Sequence, residues 1–117
     1  MMSHSLKLLS LEAVEKQLRS SLQIYSLEFN VLAFREWKKL DNSVRSQFKK
    51  QLEKRVQNPR VASAKLHGDL DNFYKIKLAA VGYRLVYEVI DHKLVVLIIA
   101  VGRRDQSEVY EKASKRR

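Results

Sequence analysis

The sequence has no cysteine, a single proline and only three glycines among its 117 residues. Without cysteine, neither a disulfide framework nor a thiolate metal site is available. So few glycines exclude a glycine-rich loop that cradles phosphates. Long apolar runs are also missing: the longest, Leu94 to Val101, falls far short of the roughly 20 residues of a membrane-spanning helix. Near the N-terminus, Glu12 and Glu15 interrupt any apolar stretch and argue against a secretory signal. These absences lead to the expectation of a cytoplasmic protein. Repeats and low-complexity stretches do not occur.

What is present is charge of one sign. Lys and Arg total 23 against 13 Asp and Glu, a formal net charge of +10 and a pI near 10.0. Such a surface favours a polyanionic partner, because each neutralised phosphate releases condensed counterions. Nucleic acid, an anionic membrane surface and an acidic protein all satisfy that requirement. The length suits one domain, and 45% hydrophobic with 31% charged residues is an ordinary globular balance.

Apolar spacing orders the elements. Leu11, Val14, Leu18 and Leu22 recur at three- and four-residue intervals behind Ser10, which predicts a helix over 6–22. Tyr25 to Phe29 alternates as a short strand. Phe34, Trp37 and Leu40 mark a core-facing helix stripe ended by Asp41-Asn42. A second stripe, Val44, Phe48, Leu52 and Val56, carries Arg45, Lys49, Lys50 and Lys54 off its apolar side, and Asn58-Pro59 closes it. So short a link predicts an antiparallel helical hairpin. From Phe73 onward the period becomes two, giving strands Phe73 to Leu78, Tyr83 to Ile90 and Leu94 to Val101. The last is continuously apolar and is therefore expected at the centre of the sheet, covered on both faces. Asp105 with Glu108 forms a capping box for a short final helix carrying Val109, Tyr110 and Ala113. The whole is an α+β fold: an N-terminal strand and helical hairpin packed on an antiparallel β-sheet meander, with a short C-terminal helix.

The strands bring cations together. Lys75 and Lys77 are two apart and share a face. A tight turn at Ala80-Val81 sets Lys77 opposite Arg84, a like-charge pair that costs stability. If Asp91-His92 caps the next hairpin, Arg84 pairs near Ile99, and Arg103 and Arg104 emerge at the same end of the sheet. A solvated basic face is the plain alternative. The three histidines, His4, His67 and His92, fall outside this cluster, and these strands hold no carboxylate group suited to Mg²⁺. Any catalysis there rests on Lys and Arg: crowding of like charges favours a deprotonated lysine, and guanidinium groups stabilise a pentacoordinate phosphate. Glu88, in the middle strand, is expected to pair with a nearby cation.

From about Tyr25 to the C-terminus the chain resembles the RelE family of bacterial toxin–antitoxin systems. The segments FREWKKLDNSVRSQFKKQLEKRVQNPRV, KLHGDLDNFYKIKLAAVGYRLVYEVID and VGRRDQSEVYEKA carry the resemblance in order. It implies a toxin domain over 25–117, with residues 1–24 an N-terminal helical extension that has no family counterpart. That extension is either an added helix packing on the domain or a partner, or sequence ahead of an alternative start near Leu22. The resemblance further implies a metal-independent endoribonuclease, without cofactor, that enters the ribosomal A site and cuts mRNA by 2′-hydroxyl attack. In that reading Lys75 or Lys77 assists deprotonation, Arg84 stabilises the transition state, Arg104 protonates the leaving oxygen and Tyr110 stacks on or orients a base. Arg45, Lys49, Lys50, Lys54 and Arg103 would contact RNA or the ribosome. A cognate acidic, RelB-like antitoxin is the implied partner, since an active toxin must be neutralised in its host. Two departures from the family pattern, Ala79 and His67, stand where relatives often place basic residues. Two other classes fit the same cations: a nucleic-acid-binding domain that only holds phosphates, and a ParE-like gyrase inhibitor of the same fold.

Overall fold

Side-chain caps start both helices of the hairpin. In the structure, a computed structural model that describes residues 25–68, 70–103 and 108–116, Asn30 accepts hydrogen bonds from the Leu32 and Ala33 amides and begins α1, Val31–Lys38. Asp41 accepts from the Ser43 amide and begins α2, Asn42–Arg55. Each carboxyl or amide oxygen satisfies an N–H that the first helical turn leaves unpaired. Asp41 therefore opens the second helix rather than merely closing the first. The helix expected over 6–22, Asp105 and Arg104 lie outside the described residues.

Four strands follow the expected alternation: β1 Ser26–Phe29, β2 Phe73–Leu78, β3 Tyr83–Ile90 and β4 Val95–Arg103. They lie in the order β1-β4-β3-β2. β2, β3 and β4 form the antiparallel meander, and β1 joins parallel to β4, from Ser26 beside Val95 to Phe29 beside Ile98. β4 is thus interior, as its apolar run predicts, although Leu94 is excluded from it. That residue adopts a left-handed φ of 53° in the turn after the short 3₁₀ segment Asp91–Lys93.

Each sheet face has its own core. On one side α1 and α2 bury Trp37, Phe48, Leu52 and Val56 against Ile76, Leu85, Tyr87 and Ile98. Trp37 meets Phe48 across the helix pair with ring centroids 6.2 Å apart. On the other side the final helix, α3 (Glu108–Arg116), packs Val109 and Ala113 on Phe73, Val86, Ile99 and Ala100. Burying one such side chain contributes on the order of 1.5–3 kcal/mol. Among the described residues, no helix is long and apolar enough to cross a membrane.

Two expectations change. Phe34 is not a core residue: its side chain is 45% exposed, while Ala33 and Trp37 take the buried stripe. One residue along a helix is a rotation of about 100°, so Phe34 falls at the margin, edge-on to Phe29 and under the Lys38 ammonium. The second change is the β3–β4 register. Arg84 pairs with Gly102, not near Ile99. The connection spans Asp91 to Leu94, two residues longer than a minimal hairpin, and a bulge between Val86 and Tyr87 adds one more.

Candidate functional site

Strand parity places the cations. Tyr74, Ile76 and Leu78 of β2 enter the core under α1 and α2, so Lys75 and Lys77 face the side occupied by α3. Lys77 lies opposite Arg84 in the expected register. The turn that secures it has the Gly82 amide donating to the Leu78 carbonyl at 2.8 Å, with Gly82 at a φ of 72°, where a side chain would be strained. From the opposite face, Arg55 donates to the Lys75 carbonyl at 3.1 Å and to the Tyr87 hydroxyl at 2.8 Å, anchoring the strand that carries the lysines. Nothing in the local pattern around Arg55 distinguishes it from its solvated neighbours on α2.

Arg84 is the meeting point. Across β4 it faces Gly102, where a Cβ would come within 2.8 Å of the Val109 methyl. That bare backbone lets α3 settle close to the sheet. Tyr110 follows Val109, and the Arg84 guanidinium lies over its ring, 5.3 Å from the centroid. The Arg84 Nε–H is buried and has no acceptor among the described residues. Burial, then the Lys77 charge, a hydrogen bond with Lys77 and the Arg84 charge hold the Lys75 amine below the ordinary lysine range.

Other basic residues are separate. Arg103 pairs with Tyr83 and lies over its ring at 5.6 Å. Tyr83 packs towards the helical hairpin, so Arg103 shares the end of the sheet with Arg84 but not its face. On α2, Arg45 is tied into the interhelix turn: it donates to the Lys38 and Leu40 carbonyls and to Asn42. Lys49, Lys50 and Lys54 are exposed on the helix that covers the opposite side of the sheet from Lys75. Arg104 lies outside the described residues.

Among the described residues Glu88 makes no ion pair with the cation expected of it, and burial raises its carboxyl above the usual range. Its cross-strand neighbours are Phe73 and Leu97, which leaves no basic residue directly opposite. It lines a small polar pocket of about 240 Å³ with Arg60, Asn72, Asp91 and His92. His67 is exposed in its loop. Among the described residues, no group of three or more histidine, aspartate or glutamate side chains is arranged to hold a metal ion.

The sequence and the fold have counterparts among known proteins. The sequence profile of the family described as the ParE toxin of type II toxin-antitoxin system, parDE, matches residues 27–108. The mRNA interferase toxin RelE of Escherichia coli strain K12 is 51% identical over 92 residues, which cover 79% of this chain and 96% of that relative. The chain belongs to the RelE family of toxins. A mutant of E. coli RelE in the free state superposes with a TM-score of 0.74 at 49% identity, over 80% of this chain and 97% of that one. The toxin of the intact E. coli RelBE toxin–antitoxin complex does so with a TM-score of 0.65 at 49% identity, over 68% and 95% respectively. In this RelE-family chain, then, two strand lysines, one strand arginine and a tyrosine of the last helix share the face left uncovered by the helical hairpin.

Proposed function

We propose that this chain is the toxin of a toxin–antitoxin pair, an endoribonuclease that cleaves mRNA in the ribosomal A site and so stops translation. The observation that carries this reading is the grouping of Lys75, Lys77, Arg84 and Tyr110 on one sheet face, in a chain 51% identical to an mRNA interferase. Lys75, its amine lowered by burial and by Lys77, accepts the proton of the 2′-hydroxyl. That oxygen attacks the adjacent phosphorus, and the phosphorus–oxygen bond to the next nucleotide breaks, leaving a 2′,3′-cyclic phosphate. Arg84 stabilises the extra negative charge on the pentacoordinate phosphate, where a fixed donor is most effective. Its buried, unpartnered Nε–H supports this role, because an orphaned donor gains most from a new acceptor. Tyr110 stacks on or orients a base, and Arg104 delivers the proton to the leaving 5′-oxygen.

The site contains no histidine–carboxylate pair to align RNA by itself, so the ribosome supplies substrate orientation. No metal or cofactor takes part in this scheme. An acidic antitoxin is the neutralising partner, and the cytoplasm, where mRNA is translated, is the place of action. Primer-extension mapping of mRNA in a purified translation system tests the proposal. Cleavage within the A-site codon, dependent on added ribosomes, is expected. Equal cutting of naked RNA rejects ribosome dependence; intact mRNA together with inhibition of gyrase supercoiling favours the ParE-like alternative.

A further inference from the structure

The apolar seam of α3 is narrow. The helix has nine residues, too few to persist without docking, and among its described side chains only Val109 and Ala113 are buried against the sheet. What else holds it is concentrated at the edge of β4. β1 accompanies β4 only as far as Ile98, which leaves the Ile99 carbonyl and the Val101 amide without a strand partner. Glu36 of α1 accepts from the Val101 amide at 3.1 Å, and Arg116 of α3 donates to the Ile99 carbonyl at 2.8 Å. The same carboxylate takes two bonds from Arg116 and one from Lys112, each at 3.0 Å. Glu36 and Arg116 together therefore replace the missing strand at these two groups, and Glu36 clamps α3 by its C-terminal half. At the other end, Gly102 admits Val109 to a distance that no side chain at that position would allow.

We infer that Glu36 and Gly102 are positioning residues for RNA cleavage: together they fix α3 on the sheet and so hold Tyr110 over Arg84. The inference rests on the proposed roles of Tyr110 and Arg84. Neither Glu36 nor Gly102 needs to reach the RNA. A methyl group at 102 must displace Val109, and with it the adjacent Tyr110. Loss of charge at 36 releases Lys112 and weakens both bonds from Arg116, while an amide oxygen still serves the Val101 amide. Helix tilt, not global unfolding, is the consequence of either change.

The test uses the full chain with Glu36→Gln and Gly102→Ala, each alone and combined with Tyr110→Ala. Single-turnover cleavage on programmed ribosomes should fall about tenfold for each single variant, since a misplaced group near the reacting atoms costs at least that much. Ribosome affinity should stay within about twofold, because the phosphate-binding cations are untouched. Hydrogen exchange should show lost protection at 109–116 with β2 and β3 unchanged. In the Tyr110→Ala background neither substitution should slow cleavage further, as expected of residues acting through one group. Equal slowing in both backgrounds, or a loosened α3 with an unchanged rate, overturns the inference. If Tyr110→Ala alone leaves the rate intact, the assignment of Tyr110 fails instead, and exchange at 109–116 still reports whether the clamp exists. Should Glu36→Gln not fold, Lys112→Ala with Arg116→Ala removes the clamp from the α3 side and keeps the Glu36–Val101 bond.

Discussion

Arg84 and Lys75 differ in what surrounds their charges, and that difference sets separate expectations. The Arg84 guanidinium lies over the Tyr110 ring on a residue held in register with Gly102, so it is preorganised. Arg84→Ala should lower the single-turnover rate about a hundredfold, the loss of about 3 kcal/mol typical of one fixed charge contact, and change ribosome affinity little. Equal losses in rate and affinity would indicate a phosphate-holding module instead. Lys75 is held below the ordinary lysine range by burial and by Lys77 and Arg84. As a base it works deprotonated, so cleavage should rise with pH and level off below the lysine reference near about 10.4. A pH–rate profile checks this, and Lys75→Arg should abolish the plateau. These residues were legible in the chain because parity along a strand assigns faces. Which face Arg103 takes relative to Arg84 was not legible, because a bulge shifts the β3–β4 register, and Glu88 lacks an ion pair among the described residues because its cross-strand neighbours, Phe73 and Leu97, are apolar.

At the scale of elements, α3 is the conditional part. Its C-terminal half depends on Glu36, whose carboxyl is pushed up by burial but brought down further by the bonds from Arg116, Val101 and Lys112, for a net lowering. A carboxyl lowered on folding stabilises the folded form above its unfolded value and loses that contribution as pH falls through its folded value. α3 should therefore remain docked at the unfolded glutamate reference of about 4.3 and come loose only in stronger acid. The Tyr110 ring resonances, followed by NMR through an acid titration, should report the release, and Glu36→Gln should remove the transition. The helical hairpin was readable from its stripes, since Val44, Phe48, Leu52 and Val56 are buried as spaced. The Glu36 clamp was not, because it joins residues 65 to 80 positions apart.

Over the whole molecule, the +10 charge divides into two surfaces. The cluster of Lys75, Lys77 and Arg84 lies on the α3 side, while Lys49, Lys50 and Lys54 lie on α2 across the sheet. Substituting the three α2 lysines by glutamine should weaken ribosome binding and flatten its salt dependence, because each lost phosphate contact lowers the logarithmic slope by about one. Cleavage within the bound complex should be unchanged. A filter-binding series across salt concentrations, paired with single-turnover rates, separates the two surfaces; a slower rate in the bound state would show that α2 takes part in positioning the RNA.

The sequence by itself determined the elements of the described residues, the central place of β4 and the pairing of Lys77 with Arg84. Each of these follows from local periodicity or from a short turn, which need no knowledge of distant contacts. Tertiary structure alone decided that Arg84 faces Gly102 and Tyr110, that Arg103 turns to the other face, that Phe34 stays exposed, and that Glu36 fastens the last helix. Those outcomes depend on a bulge, on where β1 stops and on how closely two backbones approach. Such quantities arise only when the layers pack, because packing density and edge pairing are properties of the assembled sheet rather than of any segment.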